Sequence, residues 1–261
     1  MKVFFIFLFL AIAFVSMGQS IEDLAKYSYY INGIDSLRNP RSPLSTSGTG
    51  FFLKSKGRTY LITAKHVLIG CGYNGTRKVV MPHNIRVWFN DDKSISPKFE
   101  PWNIDITEQL KSYPCFPGYI RPDTITILKT TANQVFTVER MYKEKLPLDK
   151  GEIAIFGFPH DPYFKNDSLK VPAAKKIIIT SYEFQEGSFI QNGTDMCNDT
   201  LNYSITVHGI SLSEAFQGIS GAPVFIKDKE TMEWQFLGLI NSLDLEENVA
   251  FVLKPKFFIN R

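Results

Sequence analysis

Short runs of strand-forming residues, separated by turn residues, restrict the fold of this chain more than any other feature of its sequence. The runs mix Ile, Val, Thr and aromatic residues, which favour a pleated, half-buried backbone. Helical periodicity is scarce, and only 21–30 and 64–69 suggest short helical turns. The predicted strands cover residues 49–54, 59–63, 84–89, 124–128, 152–158, 176–182, 203–207, 223–226, 235–240 and 249–253. Many short strands of this kind predict an all-β barrel or sandwich.

The first 18 residues have the layout of a secretory signal peptide. Met1 and Lys2 give a basic start, an apolar run extends from Val3 to Val15, and small residues follow. The apolar run has about 13 residues, whereas a membrane-spanning helix needs roughly 20. We therefore expect residues 1–18 to be removed and the mature protein to be secreted or periplasmic, without a later membrane span. An uncleaved N-terminal anchor is the alternative.

The rest of the chain, roughly 240 residues, is long enough for one large domain or two small ones. Residues 19–45 are expected to form a leader segment that packs on the body. A polar stretch with one proline lies near 144–150 and separates two halves of ordinary domain size. The predicted division is a first β-barrel over 46–145 and a second over 146–261.

Composition narrows the classes of partner. The net charge is +3 and the basic residues are scattered, so nothing indicates nucleic acid binding. The cysteines, Cys71, Cys115 and Cys197, lack zinc-ligand spacing, and their odd number leaves at least one thiol unpaired. Two arrangements are equally compatible with the sequence. Either all three cysteines are thiols, or Cys71 and Cys115 form one disulfide. No metal, organic cofactor or oligomeric state is indicated.

Three segments carry the residue types that acyl transfer needs. His66 follows an apolar strand, Asp123 begins another strand, and Ser220 lies between Gly218 and Gly221 just before a further strand. A serine hydroxyl becomes a good nucleophile when an imidazole takes its proton. A carboxylate on the other ring nitrogen orients the imidazole, and backbone N–H groups stabilise the oxyanion that forms.

The order of these residues along the chain separates two classes of hydrolase. An α/β-hydrolase places its serine first, on a strand–turn–helix elbow, and its histidine last. Here histidine comes first and serine last, Ala222 interrupts the Gly-x-Ser-x-Gly pattern, and Pro223 opens a strand. The sequence therefore argues against an α/β-hydrolase esterase or lipase.

These segments resemble the trypsin-like (chymotrypsin-fold) serine peptidases, in particular the bacterial branch of the HtrA and glutamyl-endopeptidase types. The resemblance extends over about residues 48–253. It lies in Gly48-Thr49-Gly50-Phe51 with Leu61-Ile62-Thr63-Ala64-Lys65-His66-Val67, in Asp123 to Leu128, in Gly151 to Pro159, in Gly218-Ile219-Ser220-Gly221-Ala222-Pro223-Val224, and in Leu237 to Ser242. It implies two antiparallel β-barrels with the active site in the cleft between them.

The resemblance also implies roles for individual residues. His66 corresponds to the general base, Asp123 to its orienting acid and Ser220 to the nucleophile, while the N–H groups of Gly218 and Ser220 would form the oxyanion hole. Asp105 is the rival acid, and we prefer Asp123 because the strand that follows it matches the family.

Three further residues are candidates for substrate binding. Asn241 and Ser242 lie on the strand that would line the specificity pocket. Glu214 stands where an acid at the pocket floor would favour Lys or Arg, although an exposed glutamate is the alternative. The implied partner is a protein or peptide substrate.

Two departures from the family pattern bear on function. Ile219 replaces the aspartate that receives the freed N-terminus in chymotrypsin-type zymogens, so activation by that ion pair is not expected. Val67 replaces the cysteine that follows the histidine in the animal enzymes.

The alternative function is a catalytically inactive binding protein of the same fold, whose usual sign is a lost triad residue. All three triad residues are present here.

Overall fold

The computed structural model describes residues 19–35, 44–64, 67, 70–71, 79–80, 84–88, 102–105, 136–146, 151–158, 174–186, 202–212 and 218–256. These residues form fourteen strands: β1 (Tyr29–Asp35), β2 (Leu44–Ser55), β3 (Arg58–Thr63), β4 (Gly70–Cys71), β5 (Val79–Val80), β6 (Asn84–Trp88), β7 (Trp102–Asp105), β8 (Ile153–Gly157), β9 (Lys175–Ile179), β10 (Tyr182–Glu186), β11 (Asn202–Val207), β12 (Pro223–Lys227), β13 (Trp234–Asp244) and β14 (Val249–Leu253). Short 3-10 helices occupy Glu22–Tyr27 and Val138–Met141. Across the described ranges, no helix has both the length and the apolar character to cross a membrane.

The first sheet contains five antiparallel strands in the order β3-β2-β1-β6-β7. Its β2–β3 hairpin turns through Lys56 and Gly57, both with positive φ (48° and 76°), as a tight two-residue hairpin turn requires. The segment predicted as a leader, 19–45, supplies β1, which pairs with β2 on one side and β6 on the other. The first sheet therefore begins before residue 46.

The second sheet has the order β10-β11-β14-β13-β12-β8-β9. Its two outer strands, β9 and β10, are consecutive in the chain and are separated only by Thr180 and Ser181. Because β9 pairs with β8 and β10 pairs with β11, this short bend joins the two ends of the sheet and closes it into a barrel. The prediction of one strand over 176–182 is wrong in this respect. The apolar run contains no Gly or Pro to mark the bend, which arises from barrel closure instead.

The core is divided by the two faces of β8. Ile153 and Ile155 point into the barrel, whereas Ala154 and Phe156 belong to a second cluster that contains Phe51 of β2. Strand side chains alternate between faces, so a strand buried on both sides reads as a continuous apolar run. The first sheet and the barrel thus share a contact made of buried apolar side chains, where burial of each large side chain contributes about 1.5–3 kcal/mol.

The predicted fold class, all-β with two antiparallel sheets, is confirmed. It is consistent with the two-barrel architecture of the trypsin-like peptidases. The division near residue 145 stays a prediction. The strand predicted at 124–128 lies outside the described residues, as do Cys115 and Cys197, so the disulfide pairing also stays a prediction.

Candidate active site

Ser220 lies in a tight turn that connects to the first residue of β12. Gly218 and Gly221 both adopt positive φ, 85° and 86°, a region that glycine enters without steric cost. Ile219 is fully buried in the barrel core, while Ser220 itself is partly exposed. The turn thus combines a buried residue with a half-buried serine in the next position.

The turn is fixed from the barrel side by β13. The Gly221 N–H donates to the carbonyl of Ile240 over 2.9 Å, and the Ile240 N–H donates to the carbonyl of Ala222 over 3.0 Å. Within the turn, the Ala222 N–H donates to the carbonyl of Ile219 over 2.9 Å. All three hydrogen bonds join backbone groups, so they do not depend on the side chains at these positions.

The same turn is fixed from the first sheet by Thr49, which is fully buried. Its N–H donates to the carbonyl of Ser220 over 3.0 Å, and its carbonyl accepts the Thr63 hydroxyl over 2.6 Å. Its own hydroxyl oxygen accepts the Phe158 N–H over 2.8 Å. Thr49 therefore connects the first sheet, the serine turn and the segment after β8 through three hydrogen bonds.

The glycines around Thr49 and Ser220 are required by close approach. A Cβ at Gly221 would lie 2.0 Å from the carbonyl oxygen of Thr49 and 3.0 Å from the nitrogen of Ala64. A Cβ at Gly48 would lie 2.6 Å from Cγ2 of Val67 and 3.1 Å from the carbonyl oxygen of Ser220. The serine turn therefore packs directly against the residues that surround position 66.

The chain around His66 is described at Ala64 and Val67, which are both buried. The Val67 N–H donates to the carbonyl of Ala64 over 3.0 Å and closes a single turn of backbone. His66 itself lies outside the described residues, as do Asp123 and Glu214. Asp105, the rival acid, ends β7, where it pairs with Asn84.

Gly218 and Ser220 are the predicted oxyanion donors, and both are described. Among the described residues, neither of these two N–H groups donates a hydrogen bond to a backbone carbonyl. Ile219, between them, packs against the bare Cα of Gly157, where an added Cβ would lie 2.7 Å away. An apolar anchor thus occupies the position where zymogens of the resembled family carry an aspartate.

Asn241 and Ser242 lie on β13 immediately after the residue that contacts the serine turn. The pairing between β13 and β14 shifts at Asn241, which is buried, and Ser242 is exposed. On its other side, β13 pairs with β12 only as far as Leu239. Among the described residues, no strand pairs with 241–244 on the side of β13 that faces β12.

The described part of the chain contains no group of three or more His, Cys, Asp and Glu residues that could hold a metal ion. The pattern that identified Ser220 also located Gly221 and Thr49, as members of the Gly-x-Gly and Gly-x-Ser-Gly segments. It did not indicate the hydrogen bonds of Thr49, because they join residues far apart in the sequence.

No protein-family model matches the chain, and no curated protein matches it. Among solved structures, a Glu endopeptidase in complex with MPD is similar, with 15% identity and a TM-score of 0.46 over 88% of this chain and 85% of that one. A protease of tobacco vein mottling virus is similar at 9% identity and a TM-score of 0.44, over 90% of this chain and 80% of that one. At these identities and TM-scores, neither structure indicates a function for this chain.

Proposed function

We propose that this protein is a serine endopeptidase in which Ser220 is the nucleophile, His66 the general base and Asp123 the acid that orients it. The observation that carries the proposal is the position of the Ser220 turn against Ala64 and Val67. Ala64 and Val67 stand on either side of position 66 in the sequence, and the contact of the serine turn with them supports the pairing of Ser220 with His66.

The proposed reaction has two stages. His66 takes the Ser220 hydroxyl proton as the oxygen attacks the peptide carbonyl, and the N–H groups of Gly218 and Ser220 stabilise the oxyanion. His66 then gives the proton to the leaving amine, and an acyl-serine remains. Water, activated by the same imidazole, attacks the acyl group and releases the acid, which restores Ser220. The chemistry of this triad requires no metal or cofactor.

Substrate binding is proposed along β13. A peptide strand would pair with the backbone near Asn241 and Ser242, which places a carbonyl beside Ser220 and a side chain in the space behind it. Glu214 is proposed at the floor of that space, where its charge would favour Lys or Arg. The substrate would then be an extended segment of a protein or peptide with a basic residue before the cut.

The first test is labelling with a fluorophosphonate, which reacts with an activated serine and loses fluoride. We expect the folded mature chain to be modified at Ser220, as mapped by mass spectrometry. The changes Ser220→Ala and His66→Ala should abolish labelling, because removal of a triad member typically costs several orders of magnitude in rate. The matched controls Ser181→Ala and His208→Ala change exposed residues of the same type and should label normally.

The acid is tested separately. Asp123→Asn should lower kcat by about 10⁴-fold, since the imidazole would then take the wrong tautomer. Asp105→Asn should have little effect. The reverse pattern would transfer the role to Asp105. Absence of labelling in a folded wild-type sample would refute the endopeptidase and favour a binding protein that keeps the three residues without an activated serine.

We also propose that the protein is exported and that residues 1–18 are removed. N-terminal sequencing of the protein recovered from the medium or periplasm should begin at Gln19. Recovery of the chain in the membrane fraction with Met1 intact would instead support an uncleaved anchor.

A further inference from the structure

The peptide group between Ser220 and Gly221 is held at its two ends by different sheets. Its carbonyl accepts the N–H of Thr49 in the first sheet over 3.0 Å, and its N–H donates to the carbonyl of Ile240 in the barrel over 2.9 Å. A peptide group is planar, so these two bonds together fix the orientation of the backbone directly after the serine. The position of Thr49 is therefore one of two determinants of where the serine turn lies.

Thr49 lies where the pairing of β2 with β3 stops. The last pair is Gly50 with Thr63, so Thr49 is one residue beyond it. A residue in an antiparallel ladder can exchange its N–H and C=O bonds with a single partner on the neighbouring strand. At Thr49 the Ser220 carbonyl and the Thr63 hydroxyl take the place of such a partner. A side chain of β3 thus continues a contact that its backbone no longer makes.

The Thr63 hydroxyl lies between the first sheet and the serine turn. Thr63 is 1% exposed, and its Oγ1 donates to the Thr49 carbonyl over 2.6 Å. A Cβ built on Gly221 would lie 2.4 Å from the same oxygen and 3.0 Å from the nitrogen of Ala64. The hydroxyl is thus enclosed by β2, the end of β3 and the residue after Ser220. Its loss would take a hydrogen bond from a buried carbonyl, which is unfavourable enough for the backbone to shift toward another donor.

We propose that Thr63 is a positioning residue for the reaction, whose hydroxyl fixes the Thr49 backbone and through it the place of the Ser220 turn. The inference rests on the proposed function. Thr63 ends β3 and precedes His66 by three residues in the sequence. One hydroxyl therefore connects the end of the strand that leads to the general base with the turn that carries the nucleophile.

The size of the effect follows from the number of bonds between Thr63 and the serine. A displacement of the reacting atoms by about 1 Å can cost about 100-fold in rate. Thr63 acts through Thr49, and Ile240 still holds the other end of the same peptide group, so only part of such a displacement is expected. We expect a loss of about tenfold or more in the rate of attack by Ser220.

Three variants of Thr63 isolate the hydroxyl. Thr63→Val keeps the branched shape and removes the donor, whereas Thr63→Ser keeps the donor and removes a methyl group. Thr63→Ala is a second variant without the hydroxyl, which tests the inference even if valine does not allow folding. Circular dichroism identifies the folded variants and their melting temperatures, and every assay is run well below them.

Ser28→Ala is the matched control. Ser28 is also 1% exposed, and its hydroxyl donates to the buried backbone carbonyl of Phe156 over 2.8 Å. The variant therefore loses the same kind of hydrogen bond as Thr63→Val. None of the described hydrogen bonds of Ser28 reaches the serine turn, so its loss should affect stability alone.

Each folded variant is labelled with a small alkyl fluorophosphonate, and the rate constant and the final number of labelled sites are measured separately. A partly unfolded sample loses labelled sites and keeps the rate constant, whereas a displaced serine keeps the sites and loses rate. For Thr63→Val and Thr63→Ala we expect full labelling with a rate constant about tenfold or more below wild type. Thr63→Ser and Ser28→Ala should stay within about threefold of wild type, because both retain the Thr63 hydroxyl or its equivalent. With peptide substrates, Thr63→Val should lower kcat and kcat/KM equally, as expected for a loss that acts on the transition state.

Hydrogen exchange gives a readout that does not depend on activity. The Thr49 amide, which donates to Ser220, should exchange faster in Thr63→Val than in wild type, Thr63→Ser or Ser28→Ala. A wild-type labelling rate constant in folded Thr63→Val or Thr63→Ala, or an equal loss in Ser28→Ala, would overturn the inference while the endopeptidase stands. A folded wild-type protein that is not labelled at all would overturn the proposed function and this inference together.

Discussion

Replacement of Gly221 by alanine is the most direct test of how the serine turn is held. The residue has a φ of 86°, and a Cβ there would lie 2.0 Å from the carbonyl oxygen of Thr49 and 2.4 Å from Oγ1 of Thr63. Those two atoms already form a 2.6 Å hydrogen bond with each other. The added methyl group can therefore be accommodated only if the serine turn and the first sheet separate.

The cost has two parts. A side chain in a left-handed conformation costs about 1–2 kcal/mol, and insertion of a methyl group into a packed site costs about 1–3 kcal/mol more. The sum is about 2–5 kcal/mol. For a chain of this length, the melting temperature should fall by about 2–4 °C per kcal/mol, which gives a decrease of roughly 4–20 °C.

Gly57→Ala is the matched control. Gly57 has a φ of 76°, and nothing lies within 4 Å of a Cβ built there, so only the backbone cost of about 1–2 kcal/mol applies. Thermal unfolding by circular dichroism measures both variants, and fluorophosphonate labelling reports on Ser220. A displacement of the turn by about 1 Å should slow labelling by about 100-fold in Gly221→Ala and leave Gly57→Ala unaffected. If the two variants melt alike and label alike, the close contact between the serine turn and Thr49 is refuted.

Three further predictions concern single residues. Thr49→Val removes the acceptor of the buried Phe158 N–H and should lower the free energy of unfolding by about 1–3 kcal/mol, seen as a lower urea midpoint with an unchanged slope. An unchanged midpoint would show that this bond is dispensable, and the half-buried Thr59→Val serves as control. Burial raises the pKa of Tyr29 to about 12, so the unfolded chain releases this proton near pH 10 and the folded chain does not. The free energy of unfolding keeps the full contribution of Tyr29 below pH 10. It falls by about 2–3 kcal/mol as the pH rises to 12. Tyr29→Phe should remove that part of the decline, and an identical decline in both proteins would contradict the assignment. Met232→Gly relieves a left-handed backbone at an exposed position and should raise the free energy of unfolding by up to about 1 kcal/mol, whereas a lower value would count against the reasoning.

Much of the candidate site could be predicted from local sequence. The glycines beside Ser220 predict a tight turn, and the apolar strand before His66 ends where the resembled pattern places a histidine. The structure confirms the turn at Ser220 and places the chain on both sides of His66 against it. The roles of His66, Asp123 and Glu214 stay predictions, because these residues lie outside the described ranges.

The hydrogen bonds of the Asn248 side chain could not be predicted from local sequence. Nothing in Glu246-Glu247-Asn248-Val249 distinguishes a turn asparagine that binds a distant segment from one that faces solvent. The bonds to Val207, Ile210 and Leu212 exist only because β11 and β14 are neighbours in the barrel.

The sequence by itself determined many of the strands, although not β1, β7 or β10, and several of their turns, because alternation of apolar residues and the backbone freedom of glycine are local properties. The hairpin at Lys56-Gly57 and the strand Val249–Leu253 were predictable from a few residues each. Tertiary structure decided the central place of β1, the bend that closes the barrel at Thr180-Ser181, and the bonds of Thr49. These features depend on which strands become neighbours, and that choice is made by burial of side chains from distant parts of the chain at once.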